Sequence, residues 1–296
     1  MGRRFTVVAV TIALWLGTLG LFLVAVPAAL RGTDGPGLGI GPRVAIVELE
    51  GIIVDVEGLL RELKEHRDNP LVRAVVVRIN SPGGVVGPTQ ELHDALLRLR
   101  QAGKPVVASL GAVAASGGYY VAVAADQIYA NPGTLTGSIG VIMQMANLEN
   151  LMKKVGVDYV VVKAGQFKDL GNVSRPMTPE ERRVLQSLLD DVHAQFISAV
   201  ARGRKLDRDE VARFADGRIF SGVQARTLRM VDELGGLEDA VDRAARLAGL
   251  DVPPRVIPPR RRFSIFDLLG ARLGLAGEQL FTPRLPVFKT PLYLMD

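Results

Sequence analysis

Ser116 stands in Gly111-Ala-Val-Ala-Ala-Ser116-Gly117-Gly118-Tyr-Tyr120, a single hydroxyl among residues too small to cover it. A nucleophilic serine needs a sharp turn that exposes its Oγ, and small neighbours so that a substrate backbone can approach. The same stretch also reads as a Gly/Ala-rich helix start with Ser116 as its N-cap, and alone it does not separate the two. A second stretch bears on the choice. Asn80-Ser-Pro-Gly83-Gly84 places two adjacent glycines in a turn, where their N–H groups have no side chains over them. One such N–H, together with that of Gly117, would form an oxyanion hole for an attacked carbonyl. By itself the turn is an ordinary Pro-Gly turn. Both stretches, however, follow an apolar strand by the same short distance, so both surface on one rim of a sheet, where α/β proteins bind ligands.

A serine hydroxyl needs a base. The chain has no cysteine, which removes thiol nucleophiles, disulfides and cysteine-held zinc, and its three histidines (His66, His93 and His193) lie far apart in segments that read as amphipathic helices. No metal site and no cofactor is expected. Lysine can serve as base when it is neutral, which needs its pKa lowered by several units at about 1.4 kcal/mol each. Lys153 and Lys154 read as solvated helix residues, whereas Lys163 and Lys168 flank Ala164-Gly165-Gln-Phe167, just past a strand that ends at the same rim. The residues themselves do not choose between these two. Asp169 is an awkward neighbour for a lysine that must stay neutral, unless an extended backbone turns it to the opposite side.

The elements that must position these groups alternate. Val44–Leu49 reads as a strand, Val56–Asp68 as an amphipathic helix, Val72–Ile79 as a strand buried on both faces, Thr89–Gln101 as a helix, Pro105–Ser109 as a strand, and the serine stretch opens a helix to about Ala125. Strand–helix alternation predicts a parallel sheet with right-handed crossovers. Further strands are expected at Gln127–Ala130, Ser138–Met143 and Asp158–Val162, with a helix at Leu148–Val155 between the last two. Thr178-Pro-Glu-Glu181 opens a helix to about Arg202 with a capping box and Pro at the first helical position. Asp207 with Glu210 and Ser221 with Gln224 start shorter helices, and Leu237–Ala248 is the last.

Residues 1–30 read as a cytoplasmic tip and membrane span: Phe5–Leu30 carries no charge and, at about 1.5 Å per residue, crosses a hydrocarbon core of about 30 Å. Arg3 and Arg4 precede it, so the positive-inside rule puts the N-terminus in the cytoplasm and the rest outside. A cleaved signal peptide is the alternative, with Val26-Pro27-Ala28 a tolerable cleavage site, but the apolar run is long for one. Residues 31–42 form a Gly/Pro-rich flexible stalk, 43–250 the main domain and 251–296 a Pro/Arg-rich tail. Arg260-Arg-Arg262 beside Phe263–Leu269 reads either as a membrane-surface binder or as a solvated charge run before a docking helix. Net charge is +5 with no aromatic-interleaved basic face, so nucleic acid is not an expected partner. Leu292-Tyr-Leu294 is expected to lie strand-like in a neighbouring subunit's groove, as a substrate would.

Asn80-Ser-Pro-Gly-Gly84, Ala114-Ala-Ser116-Gly-Gly-Tyr-Tyr120, Thr134-Leu-Thr-Gly-Ser138-Ile-Gly140 and Gly165-Gln-Phe-Lys168-Asp-Leu-Gly171, in that order, resemble the successive signatures of the signal peptide peptidase A family, peptidase family S49, in its short single-repeat form. The resemblance runs from about Val44 to Leu250. It implies a ClpP/crotonase-like α/β fold of repeated β-β-α units, with an N-terminal transmembrane helix and a helical C-terminal part. It makes Ser116 the nucleophile, Lys168 the general base, and Ser138 the hydroxyl that orients the lysine amine. The N–H groups of Gly83 and Gly117 become the oxyanion donors, with Gly84 and Gly118 against the substrate. It implies a homo-oligomer, octameric for the single-repeat form, with sites often shared between neighbours. The expected activity is a membrane-anchored endopeptidase degrading signal peptides or other apolar peptides at the extracytoplasmic surface. The competing readings are a crotonase-like acyl-CoA enzyme, which shares the paired N–H hole, and a catalytically silent peptide-binding scaffold.

Overall fold

The computed structural model describes residues 41–260 and 292–294, together with Trp15. The chain divides into a unit of Met1–Gly41 and one of Pro42–Asp296. The expected span Phe5–Leu30 (apart from Trp15), the stalk up to residue 40 and the apolar stretch Phe263–Leu269 lie outside the described residues. Among the described residues no helix is long and apolar enough to cross a membrane.

The larger unit is built on a mixed sheet. Its centre is β1 (Arg43–Glu50), β2 (Val72–Ser81) and β4 (Val106–Ala115), parallel neighbours in that order, while the three-residue β3 (Gly83–Val85) stands outside the sheet. β4 is long enough to take two partners in succession: Val107–Leu110 pair with β5 (Gln127–Ala130), and Val113–Ala115 with β6 (Leu135–Gly137). Beyond β6 comes β7 (Ile219–Ser221), beyond β5 comes β8 (Glu233–Leu234), and β9 (Val256–Ile257) closes the far edge on β1. The helices are α1 (Glu57–Asp68), α2 (Val86–Gln101), α3 (Gly117–Ala122), α4 (Glu149–Val155), α5 (Pro179–Arg204), α6 (Arg208–Ala212), α7 (Gly222–Thr227) and α8 (Leu237–Leu247).

The apolar run in β2 is buried on both faces because alternate side chains meet different layers. Val75, Val77 and Ile79 join a core with Leu59 and Leu63 of α1 and Leu92, Leu96 and Leu99 of α2. Ala74 and Val76 join Ala240, Val241, Ala244 and Ala245 of α8. Sandwiching the sheet leaves one open direction for function, the carboxyl ends of the strands.

Several local expectations shift. The sheet is not wholly parallel, since β6 and β7 are antiparallel. The strand expected at Ser138–Met143 lies earlier, at Leu135–Gly137, because Gly137 (φ 85°) and Ser138 (φ 49°) both turn left-handed and end it. α3 stops at Ala122, and Asp126 N–H then bonds the Val106 carbonyl at 2.8 Å, returning the chain to start β5 beside β4. The Thr178–Glu181 and Ser221–Gln224 capping boxes are formed, whereas Asp207 caps α6 without a side-chain bond. Asp158–Val162 joins no ladder. Its residues are exposed, Val160 at 84% and Val162 at 96%, and no strand among the described residues covers them.

Behind the serine turn, the fully buried Tyr119 donates its Oη–H to the Met230 carbonyl at 2.8 Å, and burial pushes the phenol above its ordinary range. Phenylalanine keeps the ring but leaves a buried carbonyl unpaired. Tyr119→Phe is expected to destabilise the folded chain by about 1–2 kcal/mol in urea unfolding, with the dependence on denaturant unchanged.

Candidate active site

Ser116 follows the end of β4 with φ 51° and ψ −117°, outside the helical and extended regions that a residue with a Cβ normally occupies. Such a backbone costs about 1–3 kcal/mol and persists only when its surroundings over-determine it. They do so here. Ser116 N–H donates to the Gly137 carbonyl at 2.8 Å, and its own carbonyl accepts from Tyr120 N–H at 2.9 Å, opening α3. Ser116 thus stands at the N-cap position, but its side chain makes no capping bond. The residue is 0% exposed and its Oγ has no hydrogen-bond partner. A capping serine would spend its oxygen on the helix; this one does not.

The two glycine stretches meet. A Cβ on Gly117 would stand 3.2 Å from Gly83 Cα, 3.2 Å from Gly84 N and 3.0 Å from Thr89 Oγ1. A Cβ on Gly118 would stand 2.8 Å from the Ser81 carbonyl, and one on Gly84 would collide with the Ile53 backbone. Gly83, at φ 109°, has a backbone that L side chains rarely adopt. The Ile53 backbone holds β3 in place, donating to the Gly83 carbonyl at 2.9 Å and accepting from Val85 N–H at 2.8 Å. Gly117 is the first residue of α3, so its N–H has no carbonyl of the helix to bond. Gly83 N–H donates to the buried Ser81 Oγ at 3.1 Å. Ser81 lies within the glycine motif, but nothing in the sequence marks it as the group on that donor.

Ser138 joins this cluster through the ladder. Ala115 pairs with Gly137, so Ser116 and Ser138 follow adjacent positions on two parallel strands, and both have positive φ. Ser138 N–H donates to the Arg218 carbonyl at 2.8 Å. Its side of the rim opens on a cavity of about 780 Å³ lined also by Val141, Leu189, His193, Asp216 and Ile219. The sequence puts His193 deep in an amphipathic helix; the fold brings it to this wall, its buried Nε2 without a partner.

Lys168 is not joined to Ser116. It is exposed on a turn closed by its own N–H to the Gly165 carbonyl, 3.2 Å. Lys163 is committed elsewhere: its Nζ donates to the Gln166 carbonyl at 2.8 Å and pairs with Asp169. Asp169 also accepts from Arg175 at 2.9 Å, and Arg175 reaches Glu181 at 2.5 Å. Lys163 first, then Arg175, hold the Asp169 carboxyl well below its usual range. Arg175, then the Thr178 N–H, hold Glu181 at about 2. The carboxylate beside Lys168 is therefore already neutralised by other cations. Arg175 carried no signal in the sequence beyond its place ahead of the Thr178 capping box.

The C-terminal strand β10 (Leu292–Leu294) pairs antiparallel with β3, Leu292 opposite Val85, Tyr293 opposite Gly84 and Leu294 opposite Gly83. The segment is strand-like, as expected, and here it pairs with β3 of its own chain.

An unpartnered serine at a strained strand-to-helix turn, with two side-chain-free glycine turns against it, is the arrangement of a serine hydrolase. The pattern of Peptidase family S49 matches residues 98–251. A "Putative protease" of Synechocystis sp. is 48% identical over 213 residues, covering 71% of this chain and 76% of that protein. Protease 4 of Salmonella typhi is 35% identical over 219 residues, 71% of this chain and 35% of the relative. A "Putative signal peptide peptidase SppA" of Enterococcus faecium is 35% identical over 186 residues, 63% of this chain and 54% of the relative. The chain belongs to peptidase family S49 and is a serine-type peptidase related to signal peptide peptidase A. It spans only about a third to a half of the length of the last two relatives. Its mixed α/β sheet agrees with the ClpP-like domain of that family, and membership favours peptide chemistry over the acyl-CoA reading.

Gly84→Ala inserts a methyl group where the Ile53 backbone stands, so β3 must move. A displacement of about 1 Å at a reacting centre costs about 100-fold. The variant is expected to lose about that factor in peptide cleavage while its far-ultraviolet circular dichroism stays unchanged.

Proposed function

We propose that this chain is a single-pass, membrane-anchored serine endopeptidase with a Ser116/Lys168 dyad, acting outside the cytoplasm on extended apolar peptides such as spent signal peptides. The observation that carries the reading is the buried, partnerless Ser116 Oγ at a strained turn beside Gly83 and Gly117. Ser116 Oγ attacks the scissile carbonyl as Lys168 Nζ takes its proton, and the oxyanion receives the N–H groups of Gly117 and Gly83, the latter exchanging Ser81 Oγ for it. Lys168 returns the proton to the leaving amine, giving an ester on Ser116. A water deprotonated by Lys168 then releases the carboxylate product and the free hydroxyl. Ser138 orients the amine, while Gly84 and Gly118 form the floor along which the peptide lies.

The β10–β3 ladder supports an extended substrate, because a peptide strand of the chain itself lies antiparallel along the glycine turn. The uncharged Phe5–Leu30 run behind Arg3 and Arg4 supports a cell-membrane anchor with the peptidase domain outside.

A homo-oligomer completes the site. Lys168 sits in an arm that begins at α4, a helix with no buried residue, and continues through the exposed Val157–Val162. An exposed β-branched run that joins no ladder among the described residues is a ready partner for another copy, which would bring its Lys168 to this chain's Ser116. The resemblance to the single-repeat family supports an octamer.

With the full chain in detergent and an unfolded apolar peptide, Ser116→Ala and Lys168→Ala are each expected to abolish cleavage. Mixing the two inactive variants under conditions that exchange subunits restores part of it if the base comes from a second copy. Full activity in Lys168→Ala overturns the dyad. Deleting residues 290–296 uncovers β3 and is expected to raise the initial rate at low peptide concentration severalfold; an unchanged rate counts against the tail as a competitor for the substrate strand.

A further inference from the structure

Next to the proposed base lies a group of four alternating charges. Lys163 and Arg175 both hold Asp169, and Arg175 also holds Glu181 through two contacts, 2.8 and 2.5 Å. Glu181 is 4% exposed and closes the capping box of α5, its carboxylate accepting from Thr178 N–H at 2.8 Å. Gln166 makes a further tie to the same helix end, donating to Glu180 at 3.0 Å. The turn that carries Lys168 is thus bolted to the start of α5, the longest helix among the described residues. The rest of the arm has little holding it: α4 buries no residue and Val157–Val162 is exposed.

We propose that Arg175 and Asp169 are positioning residues for Lys168: Arg175 links the turn to Glu181 and, with Lys163, cancels the Asp169 carboxylate that would otherwise keep the adjacent lysine protonated. This inference rests on Lys168 being the base. The charged groups of the turn are Lys163, Asp169 and Arg175, and those of the helix end bound to it are Glu180 and Glu181. With all of these ionised, Lys163 and Arg175 balance Asp169 and Glu181, to which they are bound, and Glu180 is left as the outlying charge on Gln166. Removing one member upsets this in a direction set by its sign. Losing Arg175 leaves one more uncompensated carboxylate next to the proposed base, whereas losing Asp169 leaves one more uncompensated cation.

The test is the pH dependence of kcat/KM for the full chain in detergent, whose acid limb reports deprotonation of the base in free enzyme. Arg175→Gln is expected to move that limb to higher pH by about one unit, and the near-isosteric Asp169→Asn to move it lower by a similar amount. The double variant returns it towards the wild-type position. Arg175→Lys keeps the charge but loses the fork that spans two carboxylates, so its limb stays while kcat falls. A limb unmoved in both Asp169→Asn and Arg175→Gln, or moved the same way in both, overturns the proposal and leaves a structural tie only. Should Arg175→Gln fail to fold, Asp169→Asn decides alone: a limb shifted to lower pH supports the proposal, and any other result overturns it. Lys168→Ala run alongside separates the two levels. If it retains activity, the dyad itself fails; if it is inactive and the limb does not move, only this inference fails.

Discussion

The site depends on two backbones touching where no side chain fits. Gly117 and Gly118 at the start of α3 pack on Gly83, Gly84 and the Ser81 carbonyl, at separations that a Cβ on Gly118 would violate and one on Gly117 would strain. That contact brings the ends of β2 and β4 together and lets β4 break directly into a helix. Ser116 is the residue at the break, and its positive φ is what the join requires of it. The cost of that conformation, about 1–3 kcal/mol, is offset by the backbone bonds to Gly137 and Tyr120 and by the fully buried surroundings. The strain and the missing partner on Oγ have one origin. A serine used as a cap would relieve neither the crowding nor the turn.

From that join the rest of the rim follows. The bond from Ser116 N–H to Gly137 fixes β6 beside the end of β4, and the next residue, Ser138, turns left-handed in the same way. Ile53 and β10 hold the two edges of β3, so the Gly83 turn is braced on one side by the body of the domain and on the other by a peptide strand. Ser81 occupies the Gly83 N–H with its hydroxyl, a neutral acceptor of the size an oxyanion would replace. Gly83, Gly84, Ser116 and Gly117 are buried, whereas Lys168 lies on an exposed arm. The proposed oxyanion donors and the proposed base thus sit in two differently held parts of the fold.

Much of this was legible in residue types. The near-continuous apolar run of Val72–Ile79 identifies a central strand, and the paired glycines mark the turns that must come close. The absence of cysteine and of a nearby histidine directs attention to lysine. Less legible were features that depend on long-range contacts. The φ of Ser116 and Ser138 comes from packing between strands far apart in sequence, so neither hydroxyl could be told from a helix cap or a strand residue beforehand. Asp158–Val162 has the composition of a strand, but a ladder needs a partner and the described residues offer none. Lys163 and Lys168 look alike in sequence, and only the ion pairs of Asp169 distinguish a committed ammonium from an open one. His193 illustrates the converse, since helical periodicity hides that its face borders the cavity next to Ser138.

The central claim is that Ser116 Oγ is the nucleophile. The most direct measurement is intact-protein and peptide mass spectrometry of the full chain after reaction with a fluorophosphonate. The account predicts one phosphonyl adduct per chain, on the peptide containing Ser116 and absent in Ser116→Ala. An adduct on another residue, or peptide cleavage that persists in Ser116→Ala, would contradict it.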